Sequence, residues 1–223
     1  MSKDDHGICN AASEGGHITA LEWAISHGYT WDEHTYSRAA EQGHLDVLKW
    51  LKENNCPYNP EICTYAAFHG HIHVLEWLET LEHPWSYSAC NSAVANGQTE
   101  ALIWLRDHNC PWSAETCSIA AQTQNLKVLK WLRENGCPWD KDTTRVLAEK
   151  GNIEMLQWAR SQGCPWSEET CTAAAGAGQL EALIWLRERG CPWVELECLN
   201  AAYDGYYDEV EEWIRENGEI AED

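Results

Sequence analysis

The sequence predicts an all-α fold of about eight stacked helix pairs, and its periodicity is the main reason. The 223 residues include 14 Trp and 11 Cys, and both residue types recur every 27 residues. In the first Trp column the last member comes one residue later than the 27-residue spacing predicts: Trp23, Trp50, Trp77, Trp104, Trp131, Trp158, Trp185 and Trp213. The other column has Tyr58 in its one gap: Trp31, Trp85, Trp112, Trp139, Trp166 and Trp193. A fixed period of this length indicates a repeat architecture in which neighbouring units share a core.

The cysteines form two further columns, with Tyr36 and Thr144 substituting in the first: Cys9, Cys63, Cys90, Cys117, Cys171 and Cys198, and then Cys56, Cys110, Cys137, Cys164 and Cys191. Residues spread this evenly belong to a scaffold and do not form a single active site.

Each repeat is predicted to contain two short helices. In residues 167–193, Ser167 is a favourable N-cap for the first helix, and the other repeats hold Asp5, Asp32, Asn59, Ser86, Ser113 and Asp140 there. A glycine column, with Gln124 as its exception, ends this helix: Gly16, Gly43, Gly70, Gly97, Gly151, Gly178 and Gly205. The second helix is apolar on more than one side and ends at a Gly or Asn, which except at Gly28 is followed by Cys-Pro: Gly28, Asn55, Asn109, Gly136, Gly163 and Gly190.

The repeats divide the chain simply. They start at residues 5, 32, 59, 86, 113, 140, 167 and 194, and the last is degenerate. We therefore expect an N-terminal extension over 1–4, one repeat domain over 5–218 and an acidic tail over 219–223. One helix pair is too small to bury its own apolar faces, so the pairs must stack into a solenoid.

Several segments resemble the middle of an ankyrin repeat. They are Gly43-His44-Leu45-Asp46-Val47-Leu48-Lys49, Gly70-His71-Ile72-His73-Val74-Leu75 and Gly151-Asn152-Ile153-Glu154-Met155-Leu156, each preceded by small residues such as Ala39-Ala40. Ankyrin units are longer by about the length of a β-hairpin finger. The chain is therefore similar to the short, Trp-rich, hairpin-less ankyrin-like repeats found in protist, algal and large-virus proteins. The resemblance implies a protein-binding scaffold that has no catalytic activity and binds its partner on the concave face of the first helices.

The loop Trp is expected to replace the missing finger. A Trp side chain buries about 200 Å2, which makes it large enough to act as a wedge between consecutive repeats.

The net charge of −21 argues against nucleic acids and anionic membranes as partners, because both are bound through clustered Lys and Arg. No apolar run approaches the length of a membrane span. We expect a monomeric, acidic, cytoplasmic protein, or one in the host cytoplasm if it is an effector. No catalytic motif is present, so we expect neither enzyme activity nor a cofactor.

The Cys and His residues leave alternatives open. Loop and helix cysteines lie seven residues apart, which is not a zinc-knuckle spacing, so reduced structural thiols are favoured over disulfides or a metal. His69, His71 and His73 form a weak metal candidate. The alternative to metal binding is a structural role, because His71 belongs to the turn column that also holds His17 and His44.

The partner-binding residues are predicted from the columns that vary between repeats, which lie two, five and six residues after the helix Cys. The candidates are Arg38, Glu41, Tyr65, Phe68, His69, Asn96, Ile119, Gln122, Val146, Lys150 and Tyr203. Exposed aromatics such as Tyr65 and Phe68 are the usual anchors of an interface. The alternatives are a pathogen or viral effector that binds a host signalling protein through the same face, and a metal- or redox-responsive Cys/His-rich protein.

Overall fold

The computed structural model describes residues 6–57 and 60–218. These residues form sixteen α-helices and no β-strand, as predicted. The chain divides after Trp112 into two units, and each contains four of the predicted helix pairs. The N-terminal extension 1–4, the caps Asp5 and Asn59, Tyr58 and the acidic tail 219–223 lie outside the described residues.

The first unit contains eight helices: α1 (Gly7–Glu14), α2 (Ile18–Ser26), α3 (Glu33–Gln42), α4 (Leu45–Glu53), α5 (Ile62–Phe68), α6 (Ile72–Glu79), α7 (Tyr87–Ala95) and α8 (Thr99–Asp107). The first helices of its repeats, α1, α3, α5 and α7, pack side by side in that order. Each also packs on the second helix that follows it. The unit therefore has the stacked-pair architecture of a solenoid.

The second unit repeats this plan with α9 (Ala114–Gln122), α10 (Leu126–Glu134), α11 (Lys141–Glu149), α12 (Ile153–Ser161), α13 (Glu168–Gly176), α14 (Leu180–Glu188), α15 (Glu195–Asp204) and α16 (Asp208–Asn217). Its first helices α9, α11, α13 and α15 again pack in order, each on its own second helix. None of the described helices is long and apolar enough to cross a membrane.

Side-chain caps define where several first helices begin. Asp32 accepts a hydrogen bond from the His34 N–H at 3.0 Å, while the Thr35 hydroxyl accepts one from the Asp32 N–H at 3.3 Å. The threonine half of this arrangement recurs twice: the Thr116 hydroxyl accepts from the Ser113 N–H at 3.3 Å, and the Thr170 hydroxyl accepts from the Ser167 N–H at 3.2 Å. These threonines are fully buried, so a hydroxyl that satisfies a backbone N–H is needed there.

Close approach between repeats explains the glycine column. Gly43 has φ +73°, and a Cβ added to it would lie 2.8 Å from Nδ1 of His71 in the next repeat. A residue with a side chain would therefore have a strained backbone at this position, and its Cβ would clash with His71.

The last repeat departs from the glycine rule. Gly205 has φ −84°, and Tyr206 takes the left-handed conformation instead, with φ +59°. One inserted residue moves the turn along the chain, which also accounts for the late Trp213.

Small residues of the first helices and leucines of the second helices form the core. The pairs Ala39/Ala40, Ala66/Ala67, Ala120/Ala121 and Ala174/Ala175 are fully buried. The same holds for Leu48, Leu51, Leu75, Leu78, Leu102, Leu105, Leu129, Leu132, Leu183 and Leu186. In α15, Ala202 is buried but Ala201 only half-buried, because the first helices that the structure describes end with α15.

The predicted wedge is confirmed, and its contacts are specific. The ring of Trp139 lies 4.2 Å from the Arg133 guanidinium of the preceding second helix and meets Trp158 of the following one edge-on, with centroids 5.8 Å apart. Equivalent aromatic pairs are Trp31/Trp50, Trp85/Trp104 and Trp193/Trp213. Equivalent arginine contacts are Arg106/Trp112, Arg160/Trp166 and Arg187/Trp193. Trp139 and Trp193 make both contacts and thereby link successive second helices.

In five repeats the loop cysteine bonds to the start of the first helix of its own repeat. The Cys137 thiol donates a hydrogen bond at 3.4 Å to the carbonyl of Ser113, which is the N-cap residue of the same repeat. Cys56, Cys110, Cys164 and Cys191 make the same contact with the N-cap residue 24 positions earlier. A small thiol fits this buried position and still offers a weak donor.

Replacing Trp139 by Ala should lower the free energy of unfolding by about 3 kcal/mol, because the substitution removes the arginine and tryptophan contacts together and leaves a gap between repeats. Urea melts followed by circular dichroism measure this. The control is Trp23→Ala: Trp23 is 51% exposed and stacks on His27 and Tyr29 of its own repeat, so its loss should cost about 1 kcal/mol or less. Equal costs for the two variants would contradict the wedge.

Candidate protein-interaction surface

The variable columns lie at the C-terminal ends of the first helices, and the structure separates them by exposure. Residues five and six positions after the helix Cys are exposed or half-buried in every repeat, as Phe68, His69 and Asn96 illustrate. Residues two positions after it range from exposed Arg38 to buried Val146. The surface open to a partner is therefore formed mainly by the last turn of each first helix and the residue that follows it.

In the first unit, the candidates on α5 and α7 form one connected patch. Phe68 is 38% exposed, and its ring meets His69 edge-on with centroids 5.0 Å apart. Asn96, at the end of α7, donates its side-chain N–H to the Phe68 carbonyl at 2.8 Å. Tyr65 is half-buried one turn earlier on α5. The aromatic side chains are thus presented on a backbone that a neighbouring repeat holds in place.

Two more candidates extend this patch onto α3. Arg38 and Glu41 form an ion pair at 3.0 Å on the outside of the helix. The Glu41 carbonyl accepts a hydrogen bond from Nε2 of His71 at 2.9 Å, and the His71 ring lies beside His69. The ion pair adds little stability because the Arg38 side chain is 48% exposed to solvent.

In the second unit the candidates are more dispersed, and one of them is misplaced. Ile119 and Gln122 lie on α9, Lys150 follows α11, and Tyr203 on α15 is 67% exposed. Val146 is only 6% exposed, because α11 packs against α9, α12 and α13. The prediction that Val146 contacts a partner does not fit this burial, and we omit the residue from the surface.

Two of the three histidines of the weak metal candidate, His71 and His73, bond to the preceding repeat. Nε2 of His71 donates to the Glu41 carbonyl, and Nδ1 of His71 lies against Gly43. His73 Nε2 donates to the Gly43 carbonyl at 2.8 Å. His71 therefore has no ring nitrogen directed at a shared ligand with His69. Among residues 6–57 and 60–218, no group of three or more His, Cys, Asp or Glu side chains is arranged to hold a metal ion.

All eleven cysteines are buried, and none forms a disulfide. Burial raises the pKa of the Cys56 and Cys164 thiols to about 12 and that of Cys63 to about 11. In three repeats the helix and loop thiols contact each other, as Cys90/Cys110, Cys117/Cys137 and Cys171/Cys191. This pairing joins cysteines 20 residues apart, whereas sequence reasoning considered those seven apart.

Sequence reasoning missed a groove on the second helices of the second unit. Lys130, Arg133 and Glu134 of α10 and Trp158 and Gln162 at α12 line a cavity of about 390 Å3. The signal for it was the variation of the Lys130 column, which reads Glu22, Lys49, Glu76, Ile103, Lys130, Gln157 and Ile184 along the chain.

Replacing His71 by Gln should make the protein less sensitive to acid. Burial lowers the pKa of His71 below its ordinary value of 6.5, so the unfolded chain binds the extra proton more readily than the folded one. The stability that depends on neutral His71 is complete above about pH 6.5 and is lost as the pH falls through the lowered pKa. Gln98 and Gln179 occupy the same column, so Gln fits the site. Urea midpoints at pH 7 and pH 5 should differ less for His71→Gln than for the wild type, and an unchanged difference would contradict this role.

Comparison with known proteins agrees with this geometry. A family model described as ankyrin repeats (many copies) matches residues 36–79. The crystal structure of the human ASB11 ankyrin repeat domain is similar in fold, with a TM-score of 0.56 and 18% sequence identity over 70% of this chain and 84% of that one. No curated protein matches the sequence. The structural likeness shows that the chain has an ankyrin-like repeat fold, in agreement with its stacked helix pairs and left-handed turns, and the family model matches part of the first unit.

Proposed function

We propose that the protein is a non-enzymatic scaffold that binds another protein through the ends of the first helices in its first unit. One observation carries the proposal: Phe68 and Tyr65 form an exposed and half-exposed aromatic pair in columns that vary from repeat to repeat. Polar groups surround this pair and are held by hydrogen bonds between repeats. A preorganised aromatic centre with a polar rim is the usual form of an interface hot spot.

The charges on this surface supply specificity. Arg38 and Glu41 flank the aromatic pair on one side, and the Asn96 amide flanks it on the other. Because the Asn96 side chain and the His71 ring already bond to the neighbouring repeat, little conformational entropy remains to be lost on binding. In the second unit, Ile119, Gln122, Lys150 and Tyr203 occupy equivalent columns.

A pathogen or viral effector would use the same surface on a host protein, so it differs from a scaffold in biological setting and not in chemistry. A metal- or redox-responsive role is less well supported. His71 and His73 donate to backbone carbonyls, and burial raises the pKa of thiols such as Cys56 and Cys164, although a hydrogen bond with Cys90 lowers the pKa of Cys110.

The double variant Tyr65→Ala with Phe68→Ala tests the surface. Affinity purification from extracts of the native cell, followed by mass spectrometry, identifies a partner of the wild-type protein, and its affinity is then measured with the purified components. Truncating a hot spot costs about 2 kcal/mol or more, so the double variant should bind at least about 30-fold more weakly.

The matched control is Tyr87→Ala, which removes a more exposed aromatic, 51% exposed, at the N-terminal end of α7, away from Asn96. It should bind as the wild type does. A partner that the double variant retains would refute the surface. Loss of helical circular dichroism in the double variant would show instead that these aromatics belong to the core.

Thiol labelling separates the scaffold from the redox alternative. With a pKa of about 12, roughly one Cys56 thiol in ten thousand is ionised at pH 8, and burial also blocks access. Native protein should therefore react with iodoacetamide far more slowly than a model thiol, whereas denatured protein should yield eleven alkylated cysteines by mass spectrometry. Rapid labelling of the native state would favour the redox alternative.

A further inference from the structure

The groove between α10 and α12 differs from the surface proposed above in both location and charge. It lies on the second helices, and its walls are the side chains of Lys130, Arg133, Glu134, Trp158 and Gln162. Two cations and an amide thus face one carboxylate around an aromatic ring. The volume of about 390 Å3 is enough for a few side chains of a bound peptide.

The walls are held in place by contacts that are already formed. The Arg133 guanidinium stacks on Trp139 at 4.2 Å and donates a hydrogen bond to the Cys137 carbonyl. Trp139 in turn meets Trp158 edge-on, and Lys130 Nζ lies 5.8 Å from the centre of the Trp158 ring. A ligand would therefore find the groove already shaped, which reduces the entropic cost of binding.

Two equivalent grooves are occupied by the protein's own side chains. Between α6 and α8, the imidazole of His108 and the carboxylate of Glu79 approach to 3.7 Å and His108 stacks on Trp104. Between α12 and α14, Arg189 stacks on Trp185, which is only 8% exposed. At α12 the residue corresponding to Arg189 is Gln162, and Trp158 stays half-buried at the groove. The α10–α12 groove therefore retains an accessible indole.

The local charge is also exceptional for this chain. Residues 127–160 contain seven Lys and Arg against five Asp and Glu, although the whole chain carries −21. The carboxylates elsewhere are screened beyond about 8 Å at physiological salt, so an anionic ligand in the groove responds mainly to its immediate surroundings.

We propose that the α10–α12 groove is a second interaction site, which binds an acidic peptide segment of a partner protein. Side-chain carboxylates of the segment pair with Lys130 and Arg133, and an apolar side chain next to them lies on the Trp158 ring. Gln162 provides an amide for the peptide backbone. The Glu134 carboxylate limits the number of anionic groups that the groove accepts.

Fluorescence anisotropy with a fluorescein-labelled peptide of sequence GEELEEG tests the site on the full chain. The peptide should bind, its affinity should fall as salt is raised, and the glutamine analogue GQQLQQG should bind at least about tenfold more weakly, because hydrogen bonds to charged groups are the stronger ones. Lys130→Gln should weaken binding of the acidic peptide by about tenfold.

The control variant is Lys127→Gln, which removes the same charge from an exposed position one turn earlier on α10. It should bind the peptide as the wild type does. In a chain labelled with 15N-tryptophan, the indole signal that Trp158→Phe removes should shift on peptide addition.

Three outcomes would overturn the proposal. They are no binding of the acidic peptide at millimolar concentration, equal binding of the acidic and glutamine peptides, and equal effects of Lys130→Gln and Lys127→Gln. Because both lysines are on the surface of α10, an unchanged circular dichroism spectrum should accompany each variant. The double variant Tyr65→Ala with Phe68→Ala should bind the acidic peptide normally, which separates this site from the first-helix surface.

Discussion

Within each unit, a loop tryptophan joins one repeat to the next, and much of the fold depends on this contact. The ring needs two flat or apolar partners at once, and Arg133 and Trp158 supply them for Trp139. Both partners must therefore stay at constant positions relative to the loop, which explains the 27-residue period. Where one residue is inserted, at Tyr206, the corresponding pair Trp193/Trp213 is also the widest of the four, with centroids 6.3 Å apart.

The close spacing of the first helices imposes a second constraint. Alanines on the contacting faces and glycines in the turns let neighbouring repeats approach until a ring such as His71 lies directly on Gly43. Side chains on these faces cannot vary without opening the stack. Variation is confined to the last turn of each first helix and to the outer side of the second helices, and the two proposed interaction sites lie there. Scaffold and binding surface are thus separated by geometry rather than by sequence position.

Much of the candidate surface could be predicted from the sequence, because columns that vary across repeats are free of packing constraints. Phe68, His69 and Asn96 follow this rule and are exposed. Val146 does not, because a column can also vary among buried apolar residues when its neighbours compensate. The groove at Lys130 was missed because the second helix has a strong apolar pattern, which hides the few charged positions that vary within it.

The sequence by itself determined the period, the two helices of each repeat and the residues that begin and end them. These features depend on contacts between residues close in the chain, such as the cap of Asp32 with Thr35 or the left-handed turn at Gly43. Only the tertiary structure decided that the loop cysteine bonds to the first helix of its own repeat and that His71 bonds to the preceding repeat. The same is true of the tryptophans: Arg189 covers Trp185, while Trp158 remains accessible. These contacts join side chains on different helices, or depend on which way a side chain turns, and the spacing of residues along a chain does not specify either.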